Sequence, residues 1–168
     1  MNIDMYSASI PVFDRFLGNL SGLLDKAEAH AESQDMADTK YVVSRLYADM
    51  APLSSNVQFA CDTARRCAAR LAGEDPGSEA DDEATLDELR ARIRRTRDYL
   101  AGVDADRIRG TEDKTVLLET PMVTLEFTGH DYLLNFALPN FFFHVSISHG
   151  ILRQQGVPIG KMDFMGAA

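Results

Sequence analysis

Two histidines, His144 and His149, sit inside the most hydrophobic stretch of the chain, Tyr132-Leu-Leu-Asn-Phe-Ala-Leu-Pro-Asn-Phe-Phe-Phe-His-Val-Ser-Ile-Ser-His149. An imidazole between Phe143 and Val145 must find a hydrogen-bond partner once its helix is buried. It can be a satisfied core group bonded to Asp62, Gln58 or Tyr6, or it can offer a nitrogen to a ligand or to proton transfer. Gln58 and Asp62 stand four residues apart on a helix face otherwise rich in Ala and Cys, an arrangement that could line a small polar cavity. Burial raises the pKa of a lone carboxylate, so Asp62 calls for a donor such as Arg65, His144 or a tyrosine hydroxyl. Asn135 and Asn140 flank Pro139 and are placed to bond carbonyls freed where the proline bends its helix. The expected pocket is therefore His144, Asp62, Gln58, Tyr6, His149 and Asn140. For His149, the neighbouring Gly150 suggests close helix packing or a subunit boundary. His30 and His130 fall at helix ends, where a surface position is expected.

Other chemistries find less support. The chain has no Gly-rich phosphate loop, no cysteine pair at metal spacing and no nucleophile elbow. Cys61 and Cys67 are six residues apart on one predicted helix, about 9 Å along its axis, which does not suit a disulfide. Both read as small core residues in a reducing compartment. The basic run Arg90, Arg92, Arg94, Arg95 and Arg97 follows an acidic stretch and lacks interleaved aromatics, so it reads as a solvated helix face paired with those acids. Phe141, Phe142 and Phe143 read as core and interface.

The elements that must hold these residues follow from apolar spacing. Ile10, Phe13, Leu17, Leu20, Leu24 and Ala27 share one face of a first helix within Met5 to Ser33, with Pro11 in an early turn and a start near Ser9 as the alternative to an irregular opening. Residues 34–49 read as a connection with a short ordered turn. Asp49 is placed to cap a second helix whose stripe is Met50, Leu53, Val57, Cys61, Ala64, Ala68 and Leu71. Gly73 and Pro76 end it, and the acidic segment to Glu83 is expected to be solvent exposed. Thr85 with Glu88 forms a capping box for a third helix carrying Leu86, Leu89, Ile93, Thr96, Leu100 and Val103. Thr115-Val-Leu-Leu-Glu-Thr and Met122-Val-Thr-Leu-Glu-Phe, either side of Pro121, predict a β-hairpin. A fourth helix is expected from Gly129 or His130 to Gln155, with the seam Leu133, Phe136, Phe143, Ile147 and Ile151, a bend at Pro139, and an end at Gly156. The apolar tail beyond it is expected to pack back through Ile159, Phe164 and Met165.

These elements make an all-α protein, an up-and-down four-helix bundle with a small β-hairpin insertion between helices three and four. At 168 residues a single domain covering 1–168 is expected. The net charge of -9 disfavours nucleic acid and anionic lipid as partners. The run from Tyr132 is interrupted by Asn135, Pro139, Asn140 and His144, which argues against a membrane span. Without a basic, apolar leader the expected location is cytoplasmic. Helix four is apolar on more than one face, so the tail, the strand excursion or a second subunit must cover part of it, and the protein is expected to be a homodimer.

The chain also resembles a bacterial family named domain of unknown function 1993. The resemblance rests on Ala51-Pro-Leu with Val57-Gln-Phe-Ala-Cys-Asp62, on Arg70-Leu-Ala-Gly73, on Asn135-Phe-Ala-Leu-Pro-Asn-Phe-Phe-Phe-His144, on Ile151-Leu-Arg and on Gly156-Val-Pro-Ile-Gly-Lys-Met-Asp-Phe-Met-Gly166. It covers essentially the whole chain and implies a branch of the DinB-like superfamily, whose four-helix bundles often dimerise. In metal-binding members, three histidines hold a divalent ion, one from helix two and two from helix four, one turn apart. Here the second helix has no histidine, Ser148 stands one turn after His144, and His149, five residues on, is rotated by about 140°. The remaining mixed set of His144, Asp62 and Gln58 suits a transition ion less well. No metal and no cofactor are therefore expected. The leading reading is an uncharacterised bundle protein that accepts a small molecule near His144. The alternatives are a DinB-like metal-dependent hydrolase or thiol transferase with a degenerate metal site, and a regulatory protein engaged by another protein through helix four.

Overall fold

The computed structural model describes residues 3–119 and 122–166; Pro121, expected between the strands, lies outside them. The first long helix, α1, is Ile10–Ser33. Its opening is the tighter of the two expected: Ser9 precedes the helix, Pro11 occupies the first turn where no amide hydrogen is required, and the Ser9 hydroxyl donates to the Met5 carbonyl at 2.6 Å. A short helix α2, Thr39–Val42, interrupts the connection that follows. Helix α3 spans Leu53–Ala72 and is preceded by Pro52, not by an Asp49 cap. Pro52 itself occupies the N-cap position, so Asp49 stands too far upstream to reach the first free amides. Its C-terminus turns at Gly73 with φ of 76°, a left-handed conformation glycine adopts without strain. Helix α4, Leu86–Ala101, opens with the expected reciprocal cap between Thr85 and Glu88.

Strands β1 (Thr115–Glu119) and β2 (Thr124–Thr128) pair antiparallel, Thr115 opposite Thr128 and Val116 opposite Phe127. The last long helix is built in three parts: α5 at Gly129–Asp131, a π-helical stretch at Tyr132–Ala137, and α6 at Leu138–Gln154. Proline at 139 lacks the amide hydrogen for a bond four residues back. The wider π turn immediately before it lets the chain pass without setting the ring against that carbonyl. A short helix α7, Lys161–Met165, closes the chain.

Contacts between named residues set the helix directions. Asp14 meets Arg97 and Glu28 meets Arg90, so α1 and α4 are antiparallel. Phe13 stacks edge-on against Phe141, with ring centroids 4.9 Å apart, while His30 lies near Gly156, so α1 and α6 run parallel. Asp62 meets Arg92 and Arg65 lies over Tyr99, so α3 and α4 are also parallel. The order is up, down, down, up. Residues 73–85 must therefore run back along the bundle, and the acidic stretch is the strap that does so.

The expected stripes of α1, α3 and α4 are buried, except that Met50 precedes α3 and Val103 is half-buried. The last helix differs. Its buried set is Gly129, Tyr132, Leu133, Ala137, Phe141, Val145, Ser148, Ile151 and Leu152, whereas Phe143 is 56% exposed. The wide π turn rotates everything downstream relative to the regular helix assumed from spacing, which turns Phe143 out and Phe141 in. The tail packs back as expected through Ile159 and Phe164, the latter against Phe16, but Met165 stays exposed. Among the described residues no helix is long and apolar enough to cross a membrane.

Candidate functional site

Helix α3 and the last long helix, antiparallel neighbours, are bridged by three side-chain hydrogen bonds, two to α6 and one to the π stretch before it. Asn56 pairs with His144 at 3.0 Å, Thr63 with Asn140 at 2.7 Å, and Arg70 with the Tyr132 hydroxyl at 2.9 Å. Asn56, Thr63 and Arg70 recur every seven residues, two turns apart, and so stay on one face of α3. On the facing helix Tyr132, Phe136, Asn140 and His144 are spaced by four. In a regular α-helix each step of four overshoots a full turn by about 40°, so the series would wind off the face. The π stretch holds more residues per turn and keeps the four in line toward α3.

Along this seam lies a cleft of about 430 Å³ lined by Phe59, Asp62, Thr63, Arg66, Arg70, Asp81, Tyr132, Phe136, Asn140 and His144, together with Leu118 of β1. The hydrogen-bond pattern fixes the state of its histidine. The Asn56 amide nitrogen donates to the carbonyls of Ala51 and Pro52, at 3.0 and 2.9 Å, so the side-chain oxygen faces His144. That oxygen only accepts, hence His144 carries its proton on Nδ1. Nε2 is left with its lone pair and has no protein partner among the described residues. Burial lowers the His144 pKa, so the ring is neutral at neutral pH.

At the other end, burial pushes the Tyr132 phenol up to about 12, which keeps it protonated. Its oxygen accepts from Arg70 and its own proton remains to be donated. Thr63 is committed on both sides, donating to the Phe59 carbonyl at 2.7 Å and receiving from Asn140.

Asp62 borders the cleft but does not reach His144. Its two oxygens are taken by Arg92 at 2.8 Å and Arg66 at 2.9 Å, not by Arg65, His144 or a tyrosine. Arg92 is fully buried, which corrects the expectation of a solvated arginine face: it binds Asp62, Asp81 and Glu83 together with the Ala80 carbonyl. Only its Nε is left unbonded. Arg90 is also largely buried and grips Glu28 in a two-pronged pair. Gln58 turns toward this cluster and donates to Glu83 at 2.9 Å, away from the cleft. Burial opposes ionisation of Glu83, but the Gln58 amide and the Arg92 guanidinium outweigh it and hold the carboxyl below its ordinary value. The buried side chain of Glu83 contradicts the reading of the strap as wholly exposed.

Two further pocket residues are elsewhere. Tyr6 lies beneath Arg109, whose guanidinium sits 5.6 Å from the ring, and lines a separate depression with Asp14 and Arg97. His149 meets the Gly160 carbonyl at 3.2 Å and the edge of Phe164, so it anchors the tail. Asn140 belongs to the cleft, but neither it nor Asn135 caps a freed carbonyl; Asn135 donates to Asp131. His30 is not a free surface group, since it pairs with the Tyr41 hydroxyl at 2.6 Å. Spacing missed Asn56, Arg70 and Tyr132. The available signal was the seven-residue recurrence of polar groups on α3.

The three-histidine ion of metal-binding DinB-like bundles does not fit these residues. Only His144 of the four histidines lines the cleft, its Nδ1 is engaged by Asn56, and Asp62 is engaged by two arginines. Among the described residues no three His, Cys, Asp or Glu side chains gather as an ion site. Cys61 and Cys67 are free and buried, and burial raises both thiols, Cys61 to about 12, which makes them poor nucleophiles.

The fold and this seam define a DinB-like four-helix bundle. The chain matches the family described as domain of unknown function (DUF1993) over residues 5–165, and it belongs to that family. It is similar to the crystal structure of a DinB family member protein from Shewanella denitrificans, at 37% identity and a TM-score of 0.88, over 97% of this chain and 92% of that one. Curated proteins give no significant match.

Proposed function

We propose that this protein binds a small molecule along the α3/α6 cleft, with the His144 Nε2 lone pair as a polar anchor and Phe59 and Phe136 as apolar walls. The observation that carries the reading is the Asn56 arrangement. Two backbone carbonyls orient the amide, the amide fixes the imidazole tautomer, and an acceptor nitrogen is thereby left on a ring that lines the cleft. A histidine fully enclosed in the core for packing would have both nitrogens bonded. Soaking crystals with a panel of small aromatic hydrogen-bond donors tests this. Fragments within hydrogen-bonding distance of His144 Nε2 are expected; fragments found only at other surfaces would contradict the reading.

We also propose that the protein is a homodimer. Exposed Phe143, Met162 and Met165 supply apolar surface for a second copy. Light scattering on the purified chain should give twice the 18.6 kDa chain mass, and a monomer at micromolar concentration would remove this part.

A further inference from the structure

Resting on the ligand-binding reading of the cleft, we infer that Arg70 and Tyr132 form an anion subsite and that the ligand is an elongated organic carboxylate with a flat apolar body.

Charge pairing within the cleft singles out Arg70. Arg66 is satisfied by Asp62 at 2.9 Å. The two carboxylates that also line the cleft, Asp62 and Asp81, are neutralised by the buried Arg92 at 2.8 and 2.9 Å. Of the two arginines lining the cleft, only Arg70 has a neutral hydrogen-bond partner, the Tyr132 phenol. A guanidinium carries five N–H donors, and one is used here. The phenol accepts from Arg70 and is itself buried, 1% exposed, where it lines the cleft, so the uncommitted N–H groups of Arg70, with the phenol O–H beside them, are what the pair can offer to one acceptor. A planar, singly charged carboxylate matches that set. A phosphate dianion would be left with a single uncommitted cation.

Shape supplies the rest. Tyr132 and His144 are separated by roughly 18 Å of helix at 1.5 Å per residue, so the cleft is long and its polar groups lie toward opposite ends. Between them stand Phe59, 40% exposed, and Phe136, stacked on Tyr132 with ring planes 17° apart. Leu118 of β1 covers one side. An aromatic body fits against these rings, and a donor on that body can reach Asn140 or His144.

The probe is indole-3-butyrate, which has a carboxylate, a flexible spacer and an indole N–H; its uncharged comparison is the corresponding butyramide, and its cationic comparison the butylamine. Each is titrated calorimetrically into the full chain, with Thr63, Asn140 and His144 resonances reporting the place of binding. The carboxylate is expected to bind about tenfold or more tighter than the amide, the weight of a charge-assisted contact. Arg70→Gln should abolish that ratio while leaving amide binding intact, which also shows that the cleft is still folded. Arg97→Gln, on the far side of the bundle, should change neither. Amide or amine binding as tightly as the carboxylate would overturn the anion subsite and leave the cleft reading standing. Absence of binding by all three would overturn both.

Discussion

Asn56 Oδ1 and His144 Nδ1 are 3.0 Å apart, joining the first turn of α3 to the middle of α6. The bond sets which imidazole nitrogen is protonated and which is open, so the chemistry of the cleft is decided by an amide that does not itself line it. Burial lowers the folded-state pKa of His144 below the ordinary 6.5. The unfolded chain therefore takes up this proton first. The stability contributed by neutral His144 is complete above pH 6.5 and is lost as pH falls through that value toward the folded pKa. Proton NMR titration should place the His144 midpoint below 6.5, and Asn56→Asp, which sets a carboxylate against the ring, should move it upward. A wild-type midpoint above 6.5 would refute the neutral assignment.

Arg92 should be among the most sensitive polar residues in the molecule. It joins α4 to Asp62 on α3 and to Asp81 and Glu83 on the strap. Arg92→Met leaves buried carboxylate charge without its cation and should cost about 3–5 kcal/mol in chemical denaturation. The exposed Arg95, paired with Glu79, should cost at most about 1 kcal/mol when replaced by Gln. Equal costs would show that the buried cluster is not what fastens the strap.

The same cluster should respond to acid. Glu83 is held below its ordinary 4.5, so its contribution is complete above pH 4.5 and is lost as pH falls through the folded-state value. Melting temperatures measured from neutral to acidic pH should fall less steeply in Glu83→Gln than in the wild type. A steeper fall in the variant would count against the pairing.

Gly129 starts α5 where the chain leaves the hairpin, and a Cβ there would stand 2.0 Å from the Thr111 carbonyl oxygen. Because the obstacle is backbone, Gly129→Ala should destabilise by about 1–3 kcal/mol. Wild-type stability would mean that the segment carrying Thr111, just before β1, can move away from the helix at little cost.

Leu89 and Phe136 both read from spacing as seam residues whose replacement by Asp should unfold the bundle. Packing separates them: Leu89 is fully buried, while Phe136 is half-buried and lines the cleft. Leu89→Asp should abolish cooperative folding, because it buries a charge. Phe136→Asp should remain folded by circular dichroism and lose cleft binding instead.

Regular apolar spacing made α1, α3 and α4 legible, and Thr85 with Glu88 marked the start of α4 because a reciprocal cap depends on local sequence alone. The hairpin was equally local. His144, Asp62 and Asn140 stand out in the sequence because each is a polar group on an apolar helix, and all three line the cleft. Their partners were not legible. Asp62 could have met any nearby cation, and only the parallel packing of α3 on α4 brings Arg92 to it. The π stretch before Pro139 leaves no periodic mark, so the seam assumed for a regular helix put Phe143 inside and overlooked Tyr132 as a partner for Arg70. Tyr6 and His149 were grouped with His144 by residue type, whereas packing uses them at Arg109 and at the tail.

Nitrogen-15 NMR of the His144 ring, recorded at neutral pH before and after addition of indole-3-butyrate, tests the central claim most directly. Nδ1 should be the protonated nitrogen throughout, and the Nε2 resonance should shift on saturation as its lone pair meets the ligand. A free protein protonated on Nε2, or a ligand that binds while that resonance stays fixed, would contradict it.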